Sequence, residues 1–123
     1  MEIKKIAKVM ADCFISGQET HYDGFNFIPM EVGKRGGMVH IDIYKDAEPF
    51  RAQTSEYIAP IYDRAKIEAN CEEKIGWIML KYWARETELE GTELYDYLST
   101  KCVEEGITLD TLNKHSEDIL KRV

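Results

Sequence analysis

None of the short motifs that mark common enzymes occurs in this chain of 123 residues. Cys13, Cys71, Cys102, His21, His40 and His115 show no C-x-x-C, H-x-x-x-H or H-E-x-x-H spacing, so no local segment offers ligands for a zinc ion. A phosphate-binding G-x-x-x-x-G-K-[ST] loop, a G-x-S-x-G nucleophile elbow and a G-x-G-x-x-G fingerprint are missing too. The expectation is a protein with no metal, no cofactor and no catalytic residue. No apolar run approaches the ~20 residues of a membrane span, so no membrane partner is expected. Gly/Ser-rich or Pro-rich tracts are absent, which argues against a linker or a disordered chain. The three cysteines lie far apart and are odd in number, which excludes a complete intramolecular disulfide framework and favours a reducing compartment. The first residues (Glu2, Lys4, Lys5, Lys8) are charged on a periodic pattern rather than an apolar signal core, so the expected location is the cytoplasm.

What is present suffices for a core. Apolar residues make up 44% and aromatics 11% of a chain whose length suits one hydrophobic core, so a single domain over residues 1–123 is expected. The net charge is −7, which disfavours direct binding to a nucleic-acid backbone because phosphates repel a net anion. The excess is uneven: residues 1–58 carry 7 basic and 9 acidic side chains, residues 59–123 carry 9 and 14. Between Glu86 and Glu105, the acids Glu86, Glu88, Glu90, Glu93, Asp96, Glu104 and Glu105 oppose Lys101 alone.

Periodicity gives the elements. Ile3, Ile6, Met10, Cys13 and Phe14 recur at three- and four-residue steps, which predicts a helix over 2–16 ended by Gly17. The period then shortens. Segments 25–32 and 38–45, separated by Gly33-Lys34-Arg35-Gly36-Gly37, read as a hairpin, with Val39, Ile41 and Ile43 facing the core and His40, Asp42 and Tyr44 the other side. Pro29 makes the first of these an edge strand or breaks it there. Residues 50–58, between Pro49 and Pro60, are ambiguous and lean towards a third strand. A helix follows with Ile67, Cys71, Ile75, Ile78 and Tyr82 on one face; Trp77, Met79, Leu80 and Trp83 make it apolar all round beyond Ile75. Thr92 and Gly106 bracket a third helix bearing Leu94, Leu98 and Cys102, and Thr108 offers a cap for a fourth bearing Leu109, Leu112, Ile119 and Leu120. The fold class is α+β: an N-terminal helix, an antiparallel hairpin or small sheet of two to three strands, then three C-terminal helices packed on it.

Five constellations could carry function. His40 and Asp42 share a strand face, where a carboxylate could orient an imidazole as general base, with Tyr44 or His21 as neighbours; exposed strand faces commonly carry such pairs without catalysis. Cys13 as a nucleophile is weaker, since it sits on the apolar face of its helix. The tip residues Lys34, Arg35, Gly36 and Gly37, with His40, could cradle a nucleotide or other phosphate in a nest of backbone N–H groups; the plain alternative is a soluble hairpin loop. The carboxylates Glu86, Glu88, Glu90, Glu93 and Asp96 could dock on a basic partner, against the alternative of a solvated face that also serves a helix N-terminus. Trp77, Leu80 and Trp83 could join two copies into a homodimer. A helix-turn-helix reading of the last two helices fails on charge, because Asp110, Glu117 and Asp118 offset Lys114, Lys121 and Arg122.

Small size, acidity and absent catalytic motifs are a composition that many small regulatory or mobile-element and phage accessory proteins share. The leading expectation is a non-enzymatic inhibitor or modulator docking its acidic helical surface on a basic, nucleic-acid-handling protein. The alternatives are a phosphate or nucleotide binder at the hairpin tip, and a small enzyme centred on His40 and Asp42.

Overall fold

In a computed structural model of the chain, residues 1–30 and 37–117 are described. The order is α1 (Ile3–Ser16), β1 (Thr20–Tyr22), β2 (Phe25–Pro29), β3 (Met38–Lys45), β4 (Arg51–Tyr57), α2 (Arg64–Arg85), α3 (Gly91–Glu105) and α4 (Leu109–Lys114). The α+β class is as the sequence implies. The strand number is not: the four strands form one antiparallel sheet in the order β1-β2-β3-β4, not two or three. β1 escapes a periodicity reading because its three residues are too few to show alternation. The ambiguous segment after Pro49 is a strand, β4.

The chain divides into two compact units, Lys4–Glu72, and Met1–Ile3 with Glu73–Val123. In the first, α1 buries Ile6, Met10, Cys13 and Phe14, the face its periodicity marks out. Gly17 closes the helix by donating its N–H to the Cys13 carbonyl at 3.0 Å. Alternation on the strands buries Phe25, Phe27, Ile41 and Ile43 on one side. Phe25 stacks on Phe27 at 6.2 Å and meets the edge of Phe50 at 6.1 Å. β2 is an internal strand rather than an edge strand, and it stops at Pro29, the other outcome that the proline implies. Pro29 is its last residue, opposite Ile41, while β1 reaches only as far as Phe27. Because the next residue, Met30, donates to His40 on β3, the N–H that Pro29 lacks would point to the side where β1 has already ended.

In the second unit Ile75, Met79, Leu80, Ala84, Leu94, Leu98, Cys102, Ile107 and Leu112 are buried. Gly76 lets neighbours come close: a Cβ there would lie 3.3 Å from Ile107 and 3.5 Å from both Ile3 and Thr111. α3 begins at Gly91 with Glu90 in the N-cap position, two residues before the cap expected at Thr92. It ends as expected at Gly106, whose φ of 78° supplies the left-handed turn that frees Ile107 to donate to the Cys102 carbonyl. Thr108 occupies the N-cap position of α4, its hydroxyl 3.1 Å from that of Thr111. No described helix is long and apolar enough to cross a membrane.

Candidate functional site

The acidic residues occupy the end of α2, the connection to α3 and the outer face of α3. Beyond Arg85, the Glu86 N–H still bonds to the Tyr82 and Trp83 carbonyls; an extended stretch follows in which Thr87 and Leu89 turn inward while Glu88 and Glu90 turn out. The Thr87 hydroxyl accepts from the Leu89 N–H at 3.3 Å and fixes the bend. On α3, Leu94, Leu98 and Cys102 form the buried stripe, so helical geometry turns Glu93, Asp96, Thr100, Val103 and Glu104 outward. All five of Glu86, Glu88, Glu90, Glu93 and Asp96 are exposed, and among the described residues none has an ion-pair partner. Lys101, the single cation of the stretch, lies over the Trp83 ring at 5.2 Å. Glu105 is engaged differently, bonding the N-terminal amine at 3.0 Å. Val103 stands among the acids at 77% exposure.

The tryptophans do not present an open apolar face. Leu80 is fully buried, and Trp77 and Trp83 are half-buried. The Trp77 ring is stacked on the His115 imidazole at 4.9 Å and lies 4.7 Å from the Lys81 ammonium. Glu73 holds this corner by accepting from Lys114 at 2.6 Å and approaching His115 Nε2 at 3.4 Å. The Lys114 bond, and after it His115, hold the Glu73 carboxyl below its ordinary range against the opposing effect of its slight burial. Sequence periodicity sees the apolar ring of α2 but not the long cationic side chains that cover it.

His40 and Asp42 do share the open side of the sheet, as alternation requires, opposite Ser55 and Gln53 of β4. The two are half-buried. A shallow depression of about 450 Å³ there is lined by Asp42, Ile43, Arg51, Ala52 and Gln53, without His40. His21 lies on β1 opposite Asn26, two strands from Tyr44, so the imidazoles do not converge. Its Nδ1 is 2.6 Å from the Asn26 amide oxygen, while Asn26 Nδ2 donates to the Gly24 carbonyl at 3.0 Å and to Asp46 at 2.9 Å. Asn26 is 6% exposed, and the sequence signal that could have revealed it is a polar residue inserted between Phe25 and Phe27 in a core strand.

Lys34, Arg35 and Gly36 of the hairpin tip lie outside the described residues; Gly37 is within them and accepts from the Ile58 N–H at 2.8 Å. Burial pushes the Cys13 thiol up to about 12, a Thr20 hydrogen bond working against the rise and the Glu19 charge adding to it. Such a thiol has almost no thiolate near neutrality and makes a poor nucleophile. Among the described residues no group of three or more His, Cys, Asp and Glu is arranged to hold a metal ion. No protein-family profile, curated protein or solved structure matches this chain.

Proposed function

We propose that this is a non-enzymatic binding protein that modulates a basic, nucleic-acid-handling protein by docking on it through the carboxylates at the α2–α3 connection. The observation that carries this reading is the state of those carboxylates: Glu86, Glu88, Glu90, Glu93 and Asp96 are exposed within eleven residues, and among the described residues none of them is in an ion pair. Like charges gathered on one stretch raise the local potential and steer an oppositely charged surface into register. Val103 adds an apolar side chain on the same helical face, which suits a docking surface better than a face that serves solubility alone.

The test is a triple variant, Glu86→Lys, Glu90→Lys and Glu93→Lys. Glu86 should change stability by no more than about 0.5 kcal/mol, whereas Glu90 and Glu93 lie at the N-terminus of α3, where reversal should cost up to about 1 kcal/mol each; thermal unfolding checks that the variant stays folded. Affinity purification from the source cells with the native chain should recover a basic nucleic-acid-handling protein that the variant fails to recover. Recovery of the same partner by both proteins would show that the acids do not form the docking surface.

A further inference from the structure

We propose that Glu19 and His21 together bind a divalent first-row transition-metal ion of the zinc class, through a carboxylate oxygen and the imidazole Nε2. The case starts from the buried amide behind the imidazole. Asn26 Nδ2 donates to the Gly24 carbonyl at 3.0 Å and to the Asp46 carboxylate at 2.9 Å, and both of those oxygens can only accept. Those two bonds fix which end of the amide is nitrogen, so the atom that meets His21 Nδ1 at 2.6 Å is the amide oxygen. An amide oxygen has no proton to give; Nδ1 therefore carries the hydrogen and donates it. In the neutral ring the remaining lone pair is on Nε2, free to take a metal ion.

That lone pair is presented outward beside a carboxylate. Thr20 turns inward and donates its hydroxyl to the Val9 carbonyl of α1 at 2.8 Å, so its neighbours Glu19 and His21 project to the other side. The Glu19 carboxylate lies 3.8 Å from His21 Nε2, and both side chains are more than half exposed. This separation is too long for a hydrogen bond. It suits two ligand atoms on one zinc ion, each ~2.0–2.1 Å from the metal and so at most about 4.2 Å apart. Imidazole with carboxylate is a donor set that zinc, nickel and copper ions accept. A ligating histidine donates its second ring nitrogen to an oxygen that locks ring and tautomer, the place Asn26 holds here, with Asp46 locking the amide in turn. An imidazole serving solubility alone would need no buried amide to aim it, and Asn26 is 6% exposed. Two protein donors leave the other positions to water, so the ion is exchangeable rather than structural. The contact of Glu73 with His115 Nε2 at 3.4 Å lacks this character, because the Lys114 ammonium bonds the same carboxylate at 2.6 Å and would repel a cation.

Zinc titrated into the isotope-labelled full chain, followed by the imidazole signals in nuclear magnetic resonance, should move His21 at lower concentrations than His40 or His115. Before zinc is added, the nitrogen spectrum of the neutral His21 ring should show the proton on Nδ1. Calorimetry on variants gives the second reading. His21→Ala should abolish the site. Glu19→Gln changes an exposed side chain outside the Asn26 network and should leave thermal unfolding unaltered. Because it removes a ligand, it should weaken zinc binding by more than the ~10-fold typical of losing an outer partner. Asn26→Ala keeps both ligands and removes their support, and should weaken binding by about 10–100-fold. A native chain that binds no zinc, or one whose three histidines respond together, would overturn the proposal. So would zinc binding unchanged in Glu19→Gln, or a neutral His21 ring that carries its proton on Nε2.

Discussion

Asn26 ties the turn end of the sheet together. Its amide bridges His21, the Gly24 carbonyl and Asp46 from a position 6% exposed, between two phenylalanines of the core. Asn26→Ala leaves a buried site without those bonds and should cost about 1–3 kcal/mol, read as a lower urea midpoint. Cys13 makes the opposite point, since its burial decides its chemistry. The folded thiol has a pKa of about 12 against an ordinary 9.0, so its contribution to stability is complete below pH 9.0 and is lost as pH rises towards 12. The fall in urea midpoint over that interval should be smaller in Cys13→Ala than in the native chain. All three thiols are buried and should resist a thiol reagent until the chain unfolds. At this scale the sequence is legible where a periodic pattern places a residue, as with Cys13, and silent where three residues meet from different strands, as with His21, Asn26 and Asp46.

Elements with several turns or clear alternation read well from sequence alone. α1, β3 and the buried stripe of α3 fall where three- and two-residue periods put them, because each has one face in a core and the other in water. The departures have local causes. β1 is too short to alternate, and α3 starts at Gly91 without any side-chain cap bond, so the capping chemistry of Thr92 points two residues too far along the chain. Two glycines matter to their helices in different ways: Gly106 ends α3 and Gly76 lets neighbours pack against the middle of α2. Gly106→Ala forces a Cβ into a left-handed turn at φ 78° and should cost about 1–2 kcal/mol. Gly76→Leu would thrust a side chain against Ile107, Ile3 and Thr111 and should destabilise by about 1–3 kcal/mol through overpacking. Both effects would appear as lower melting temperatures.

For the molecule as a whole, charge was readable from the sequence and its disposition was not. The net value of −7 and the run of acids are visible in the letters; that Lys101 lies on Trp83, and that five of the carboxylates are exposed outside any ion pair among the described residues, emerges only with the fold. If those carboxylates steer a basic partner, association should slow as salt rises from about 0.01 M to about 0.1 M, where the screening length shrinks from ~30 to ~10 Å. Stopped-flow measurement of the association rate would show it, with a flatter salt dependence for the triple lysine variant. The placement of the indoles divides the chain optically. Trp77 and Trp83 both belong to the unit built from residue 73 onward, and residues 4–72 contain no tryptophan. Tryptophan emission, excited at wavelengths that tyrosine does not absorb, therefore tracks the loosening of the C-terminal helices, while strand signals in the infrared amide band track the sheet. Recorded on one melting sample, the gap between those two curves measures how far the two cores come apart independently, with no label attached.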